Sequence, residues 1–142
     1  MSATDILSHQ HRACDTLFAA CESAVRTQDW NRAQVVFASF RQNMERHFSI
    51  EELVLFPAYE SASGSSMGPT RMMRIEHQDM RDLMDDIEAA LAARQLAAFL
   101  GQNDTLLILM QQHNMKEECV LYPVCEKLLP DMGALIEESC AR

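Results

Sequence analysis

Two stretches of this chain place a glutamate four residues after a histidine. The first, HFSIEELVLFPAYE, begins at His47, and the second, HNMKEECVLYPVCE, begins at His113. Aligned without a gap, at an offset of 66 residues, they share seven of fourteen positions. On a helix, residues at i and i+4 lie on one face with Cβ atoms about 5–6 Å apart. Each stretch therefore predicts an imidazole and a carboxylate side by side, which is a pair of metal ligands.

Two further histidines obey the same offset. His11 corresponds to His77, and each precedes the next histidine of its own half, His47 or His113, by 36 residues. The chain therefore looks like a duplicated helical hairpin. In an antiparallel bundle, the first and third helices start at the end where the second and fourth helices finish. We expect these side chains to meet at one level near one end of the bundle.

The predicted ligands form a dinuclear set. Buried without partners, four imidazoles and two carboxylates would each cost on the order of several kcal/mol in desolvation, a cost that a metal centre removes. Imidazole together with carboxylate suits iron, manganese or zinc better than calcium. We expect two histidines on each ion, with both glutamates as bridges, and coordination positions left over for water or a small molecule. The predicted metal ligands are His11, His47, Glu51, His77, His113 and Glu117.

Helical periodicity runs through both halves of the chain. We predict helices over about 4–27, 29–59, 69–94 and 96–128, and a shorter one after Pro130. Pro57 is expected to kink or end the second helix, and Gly101 and Asn103 weaken the early turns of the fourth. The predicted fold is all-α, an up-down-up-down four-helix bundle.

The bundle is expected to form one domain over residues 1–142. Its first hairpin covers about 4–60 and its second about 70–129. The Ser- and Gly-rich segment 61–69 links the two hairpins, and 130–142 forms a C-terminal tail.

Composition limits the partners and the compartment. A net charge of −9 argues against nucleic acid and against an anionic membrane surface as partners. The longest apolar runs are too short to span a bilayer, and the start MSATDILSHQHR lacks the basic and apolar regions of a signal peptide. With five cysteines, an odd number, free thiols in a reducing cytoplasm are the simplest expectation.

The combination of two early histidines with the two His-x-x-x-Glu pairs of HFSIE and HNMKE resembles the hemerythrin-like, His-His-Glu cation-binding domain. The resemblance covers nearly the whole chain. It implies a four-helix bundle around a non-haem di-iron centre with an oxo or hydroxo bridge. It also implies a protein that binds or senses oxygen, nitric oxide or peroxide.

One position departs from that family pattern. Oxygen-carrying hemerythrins have a fifth histidine one turn from the ligand of the third helix, whereas Met73 and Arg81 flank His77 here. The departure argues against reversible oxygen carriage. It favours a more open and more symmetric site, similar to cytosolic members linked to redox sensing or to repair of damaged iron–sulfur centres.

Several other functions remain open at this stage. The centre could reduce peroxide or deliver iron for cluster repair, and zinc or manganese could replace iron. A ferritin-like storage role is disfavoured, because those bundles use Glu-x-x-His at i, i+3. The chain could also be a helical interaction module without metal, and formation of a homodimer is left open.

Several residues close to the predicted ligands are expected to have other roles. His9 lies two residues from His11 and so points about 200° away on a helix. Glu52 and Glu118 lie about 100° round the helix from the predicted bridges, and we expect them at the surface or orienting imidazoles. The aromatic pair Phe56 and Tyr122 is expected to be core, or to cover the site.

Overall fold

The computed structural model describes residues 1–141, which form α-helices and two π-helical turns with no β-strand. The all-α fold predicted from the sequence is confirmed. Within these residues, none of the helices has the length and apolar character needed to cross a lipid bilayer. The elements are α1 (Ala3–Arg26), α2 (Trp30–Ile50), a π turn (Glu51–Leu55), α3 (Phe56–Ser63), α4 (Pro69–Ala92), α5 (Leu96–Lys116), a second π turn (Glu117–Leu121), α6 (Tyr122–Leu128) and α7 (Met132–Cys140).

Two long antiparallel hairpins, α1 with α2 and α4 with α5, build the bundle. Their turns are alike: Gln28 (φ 58°) and Arg94 (φ 53°) occupy the left-handed region at the 66-residue offset. In the first turn the Asp29 N–H donates to the Ala24 carbonyl at 2.9 Å, which closes the end of α1. The duplication seen in the sequence therefore extends to the backbone of the turns.

Apolar side chains fill the bundle in two clusters. The larger cluster is rich in aromatic and methionine side chains, such as Phe40 and Met84, and occupies the half nearest the hairpin turns. The smaller cluster includes Leu7 and Leu121 and is covered by α7 through Met132 and Ile136. Along each long helix the predicted metal ligands fall between residues of the two clusters. The candidate site is thus a polar layer sandwiched between two apolar ones.

The helices differ from the sequence prediction at the end of the second helical segment. Pro57 does not end the second helical segment, because α3 carries on to Ser63 and stops at Gly64, whose φ of 74° suits glycine. Residues 61–63 of the expected linker are therefore helical. The fourth helix begins where it was predicted and runs through Gly101, since α5 is continuous from Leu96 to Lys116.

Each His-x-x-x-Glu pair is followed by a π-helical turn. The Phe56 N–H donates to the Glu51 carbonyl, and the Tyr122 N–H donates to the Glu117 carbonyl, so both bonds span five residues instead of four. A proline, Pro57 in the first copy, is the second residue after each turn and has no N–H to donate. These turns are not predicted by the helical periodicity of the sequence.

The π turns rotate the following aromatic side chains inward. On an unbroken α-helix, Phe56 would point about 180° away from His47, nine residues earlier. The extra residue of the π turn reduces that angle by about 100°. Phe56 is consequently buried with its ring centroid 5.6 Å from that of His77, and Tyr122 is buried in the second copy.

Candidate metal centre

The predicted ligands converge in the polar layer of the bundle. All six are buried, none with more than 4% of its surface exposed. The His11 Nε2 atom lies 3.0 Å from both His47 Nε2 and Glu117 Oε1. On the other side, His77 Nε2 lies 3.0 Å from Glu51 Oε1, and His113 Nε2 lies 3.2 Å from Glu117 Oε1.

These side chains form two groups that could each hold a metal ion. One group is His11, His47 and Glu117, and the other is His77, His113, Glu51 and Glu117, with candidate ligand atoms within 4.8 Å of one another in each. Glu117 belongs to both groups, while Glu51 lies 3.3 Å from His47 Nε2 and so also borders the first. The arrangement is that of two adjacent positions with carboxylates between them.

The outer nitrogens of His11 and His77 bind carboxylates. The His11 Nδ1–H donates to Glu118 Oε2 at 2.7 Å, and the His77 Nδ1–H donates to Glu52 Oε2 at 2.7 Å. Each pair joins the first helix of one hairpin to the π turn of the other. The two glutamates thus orient imidazoles, one of the two roles expected for them.

The outer nitrogens of the other two histidines have partners that the sequence analysis missed. The Nδ1–H of His47 donates to Gln10 Oε1 at 2.7 Å, and that of His113 donates to Glu76 Oε1 at 2.8 Å. Gln10 and Glu76 are themselves related by the 66-residue offset, and each directly precedes a predicted ligand, which is the signal that could have found them. With Nδ1 as the donor in all four rings, Nε2 is left free for a metal ion.

Burial and the central carboxylates shift the proton affinities of the site in opposite directions. Burial alone would lower the pKa of His47, but the negative charges of Glu51 and Glu117 raise it to about 10. Burial likewise opposes the effect of Glu117 on His113, whose pKa is raised to about 9. The pKa of Glu117 is held well below its usual value, against the effect of burial, by hydrogen bonds and by the His113 charge. Protons on histidine thus balance the carboxylates when no metal does.

Two buried polar atoms of the site have no partner in hydrogen-bond geometry: Oε2 of Glu117, and Nε2 of His113, although the latter lies 3.2 Å from Glu117 Oε1. Such groups carry a desolvation cost of about 1–3 kcal/mol each when left without a partner. Both are ligand atoms in the predicted set, and both face a cluster of nitrogen and oxygen donors suited to iron, manganese or zinc. The residues therefore fit a metal ion.

Tyr122 reaches into the same layer from the second π turn. Its hydroxyl donates to Glu51 Oε2 at 2.7 Å, and lies 3.0 Å from Glu117 Oε1 and 3.2 Å from His11 Nε2. Burial, together with both carboxylates, raises the pKa of this phenol well above 10, which keeps it protonated. The counterpart in the first copy is Phe56, so the hydroxyl breaks the pseudo-symmetry on the His11 side.

Other candidates lie away from the centre. His9 is exposed, as its helical angle predicts. Met73 packs in the smaller apolar cluster, and Arg81 binds Glu52 and Glu45 instead of the centre.

A family model described as "Hemerythrin HHE cation binding domain" matches residues 2–125. The matched residues include both early histidines and both His-x-x-x-Glu pairs. A search among curated proteins found no match, and a search among solved structures found none either.

Proposed function

The chain belongs to the hemerythrin HHE cation-binding domain family, and from this premise we propose that its polar layer binds two iron ions. One ion is assigned to His11 and His47, and the other to His77 and His113. The carboxylates between the two positions bridge the ions. The observation that carries the proposal is the convergence of these side chains around buried nitrogen and oxygen atoms without hydrogen-bond partners.

The proposed role is to bind or sense oxygen, nitric oxide or peroxide. Two histidines and shared carboxylates leave coordination positions open on an ion that prefers five or six ligands. A pair of iron ions supplies redox chemistry and places where such a small molecule can bind. The five free cysteines support a reducing cytoplasm as the setting.

The protein's own residues prepare this site in three ways. The Nδ1 partners fix each imidazole with Nε2 directed inward. The apolar clusters on both sides restrict water. The Tyr122 hydroxyl, held protonated at the centre, would be able to donate a hydrogen bond to a bound small molecule if a metal engaged the carboxylates.

Metal content measured together with an optical spectrum tests the proposal. After reconstitution with ferrous iron and exposure to air, we expect two iron ions per chain and near-ultraviolet charge-transfer bands that disappear on reduction. Nitric oxide added to the reduced protein should change the spectrum. A chain that retains no iron after reconstitution contradicts the proposal.

A second measurement separates binding from catalysis. Peroxide reduction and delivery of iron for cluster repair use the same centre, so the residues alone favour neither. Steady-state consumption of peroxide by the iron-loaded protein would assign it an enzymatic role. Binding without turnover is the result that we propose.

A further inference from the structure

The two halves of the polar layer have equivalent ligands but different surroundings. On the His77 side, the Phe48 ring stacks on the imidazole with centroids 4.0 Å apart. Arg81 lies over that ring at 5.1 Å and donates to both oxygens of Glu52, at 3.0 and 3.1 Å. His77 has no exposed surface. This side is sealed by an aromatic ring with a paired arginine outside it.

The His11 side lacks the residues that make this seal. At the 66-residue offset, Asn114 stands in place of Phe48, and Asp15 in place of Arg81. Between α1 and α5, where the seal would lie, the surface holds an open cavity of about 740 Å³. Among the residues that the structure describes, none that lines the cavity is Lys or Arg.

The cavity reaches the outer partner of a predicted ligand. Glu118 lines the cavity and is the acceptor for the His11 Nδ1–H at 2.7 Å. Its side chain keeps 36% of its surface exposed, against 21% for its counterpart Glu52. His11 is thus one side chain away from solvent, whereas His77 lies behind both Phe48 and the Arg81–Glu52 pair.

The ligand atoms also cluster more tightly on the His77 side than on the His11 side. The group around His77 and His113 brings four candidate ligands within 4.8 Å of one another, whereas the group around His11 and His47 brings three. Looser clustering of the ligand atoms and a shorter path to solvent both favour faster release of an ion. Among the described residues that line the cavity, the charged ones are acidic (Asp15, Glu22 and Glu118), so they do not oppose the passage of a cation.

We infer that the two metal positions are kinetically unequal, and that the His11/His47 position exchanges its ion with solvent through the cavity between α1 and α5. The His77/His113 position is the retained one. This inference rests on the proposed function, since it needs two ions to compare. Iron would then be gained and lost mainly at the His11/His47 position.

Release of ferrous iron into an excess of a chromogenic chelator, without oxygen, tests the inference. The wild-type protein loaded with two ions should release them in two phases of equal amplitude. We expect the rates to differ by at least about tenfold, which corresponds to a barrier difference of about 1.4 kcal/mol. Release of both ions in a single phase overturns the inference, whereas failure to load any iron contradicts the proposed function instead.

Iron release from the Asn114→Phe variant tests whether the fast phase comes from the His11/His47 position. This substitution copies Phe48 into the cavity, and should slow the fast phase several-fold while leaving the slow phase and the stoichiometry unchanged. Gln112→Phe is the matched control, because position 112 is on the same helix, exposed and outside the cavity lining. It should leave both phases unchanged.

A second variant keeps the inference testable if Asn114→Phe does not fold. Asp15→Arg copies Arg81 and should pair with Glu118 across the cavity, which also slows the fast phase. An unchanged fast phase in the folded variants contradicts the proposed route.

Discussion

At the scale of single residues, the outer nitrogen of each histidine decides what the inner nitrogen can do. An imidazole whose Nδ1–H is held by an acceptor presents the Nε2 lone pair to the centre. Three carboxylates and one amide perform this role here: Glu118, Glu52, Glu76 and Gln10. Hydrogen bonds from His77 and Arg81 lower the pKa of Glu52 to about 2 against the effect of burial. It therefore remains a charged acceptor at any physiological pH.

Removing one of these acceptors should weaken metal binding without removing a ligand. Glu118→Ala leaves the His11 ring free to turn, and such losses cost about 10–100-fold in metal affinity. Competition with a chelator of known affinity measures the change. Asp104→Ala, an exposed carboxylate on α5, removes the same charge far along the helix from the centre and should retain wild-type affinity. Equal losses in both variants would point to charge alone.

The convergence of the six predicted ligands could be predicted from residue types and spacing, because the same pattern occurs in both halves at one offset. Agreement at one offset separates His11 and His77 from His9, whose counterpart is Ile75. The position of the Tyr122 hydroxyl could not be predicted in this way. An α-helical period places that side chain opposite His113, and only the π turn brings it to the carboxylates.

At the scale of elements, the π turns determine which side chains of the second and fourth helices face the interior. A single face of a regular helix can carry the histidine and the glutamate, but not the aromatic residue five positions after that glutamate. One extra residue in the turn brings all three to the interior. A proline after the turn favours this local break, since it cannot donate the next backbone hydrogen bond. The sequence predicted that the helix kinks or ends at Pro57. The regular α-helix is disturbed just before this proline, but the helical segment does not end there.

The hairpin turns hold a non-glycine residue in a left-handed conformation. Gln28 has φ 58° with its N–H bonded to Val25 at 2.9 Å, a conformation in which a Cβ atom costs about 1 kcal/mol. Gln28→Gly should raise the free energy of unfolding by about 0.5–1 kcal/mol relative to Gln28→Ala, as measured by denaturant titration. Equal stabilities for the glycine and alanine variants would show that the turn carries no such strain.

At the scale of the whole molecule, the polar layer divides one apolar core into two. Without metal, ion pairs between the protonated His47 and His113 side chains and the central carboxylates help to hold the layer. A metal ion takes over this balance of charge, so binding adds to the free energy of unfolding. The stability of the bundle should therefore depend on metal and on pH together.

The metal-free protein should lose stability as the solution becomes alkaline. The pKa of His47 rises from 6.5 to about 10 on folding, and that of His113 from 6.5 to about 9. Proton binding to these groups favours the folded state, fully so below pH 6.5, and this contribution disappears as pH rises through about 9–10. Denaturant titrations with a chelator present, at pH 6.5 and at pH values up to about 10, measure the loss.

The metal-loaded protein supplies the control for that experiment. Ions replace the protons on the histidines, so its free energy of unfolding should not show the same fall between pH 6.5 and about 10. Glu117 has the opposite pH dependence. Because its pKa is lowered on folding, it adds to the free energy of unfolding above pH 4.5, and this contribution is lost at more acid pH. If the free energy of unfolding fell equally at alkaline pH in the metal-free and the metal-loaded protein, metal would not be displacing the histidine protons.

Anomalous diffraction from crystals of the iron-loaded protein, collected at the iron absorption edge, is the most direct test of the centre. We predict two adjacent peaks inside the bundle, one contacted by Nε2 of His11 and His47 and the other by Nε2 of His77 and His113. The Glu51 and Glu117 carboxylates should lie between them. Peaks confined to the protein surface, or an interior without any peak, would contradict the account.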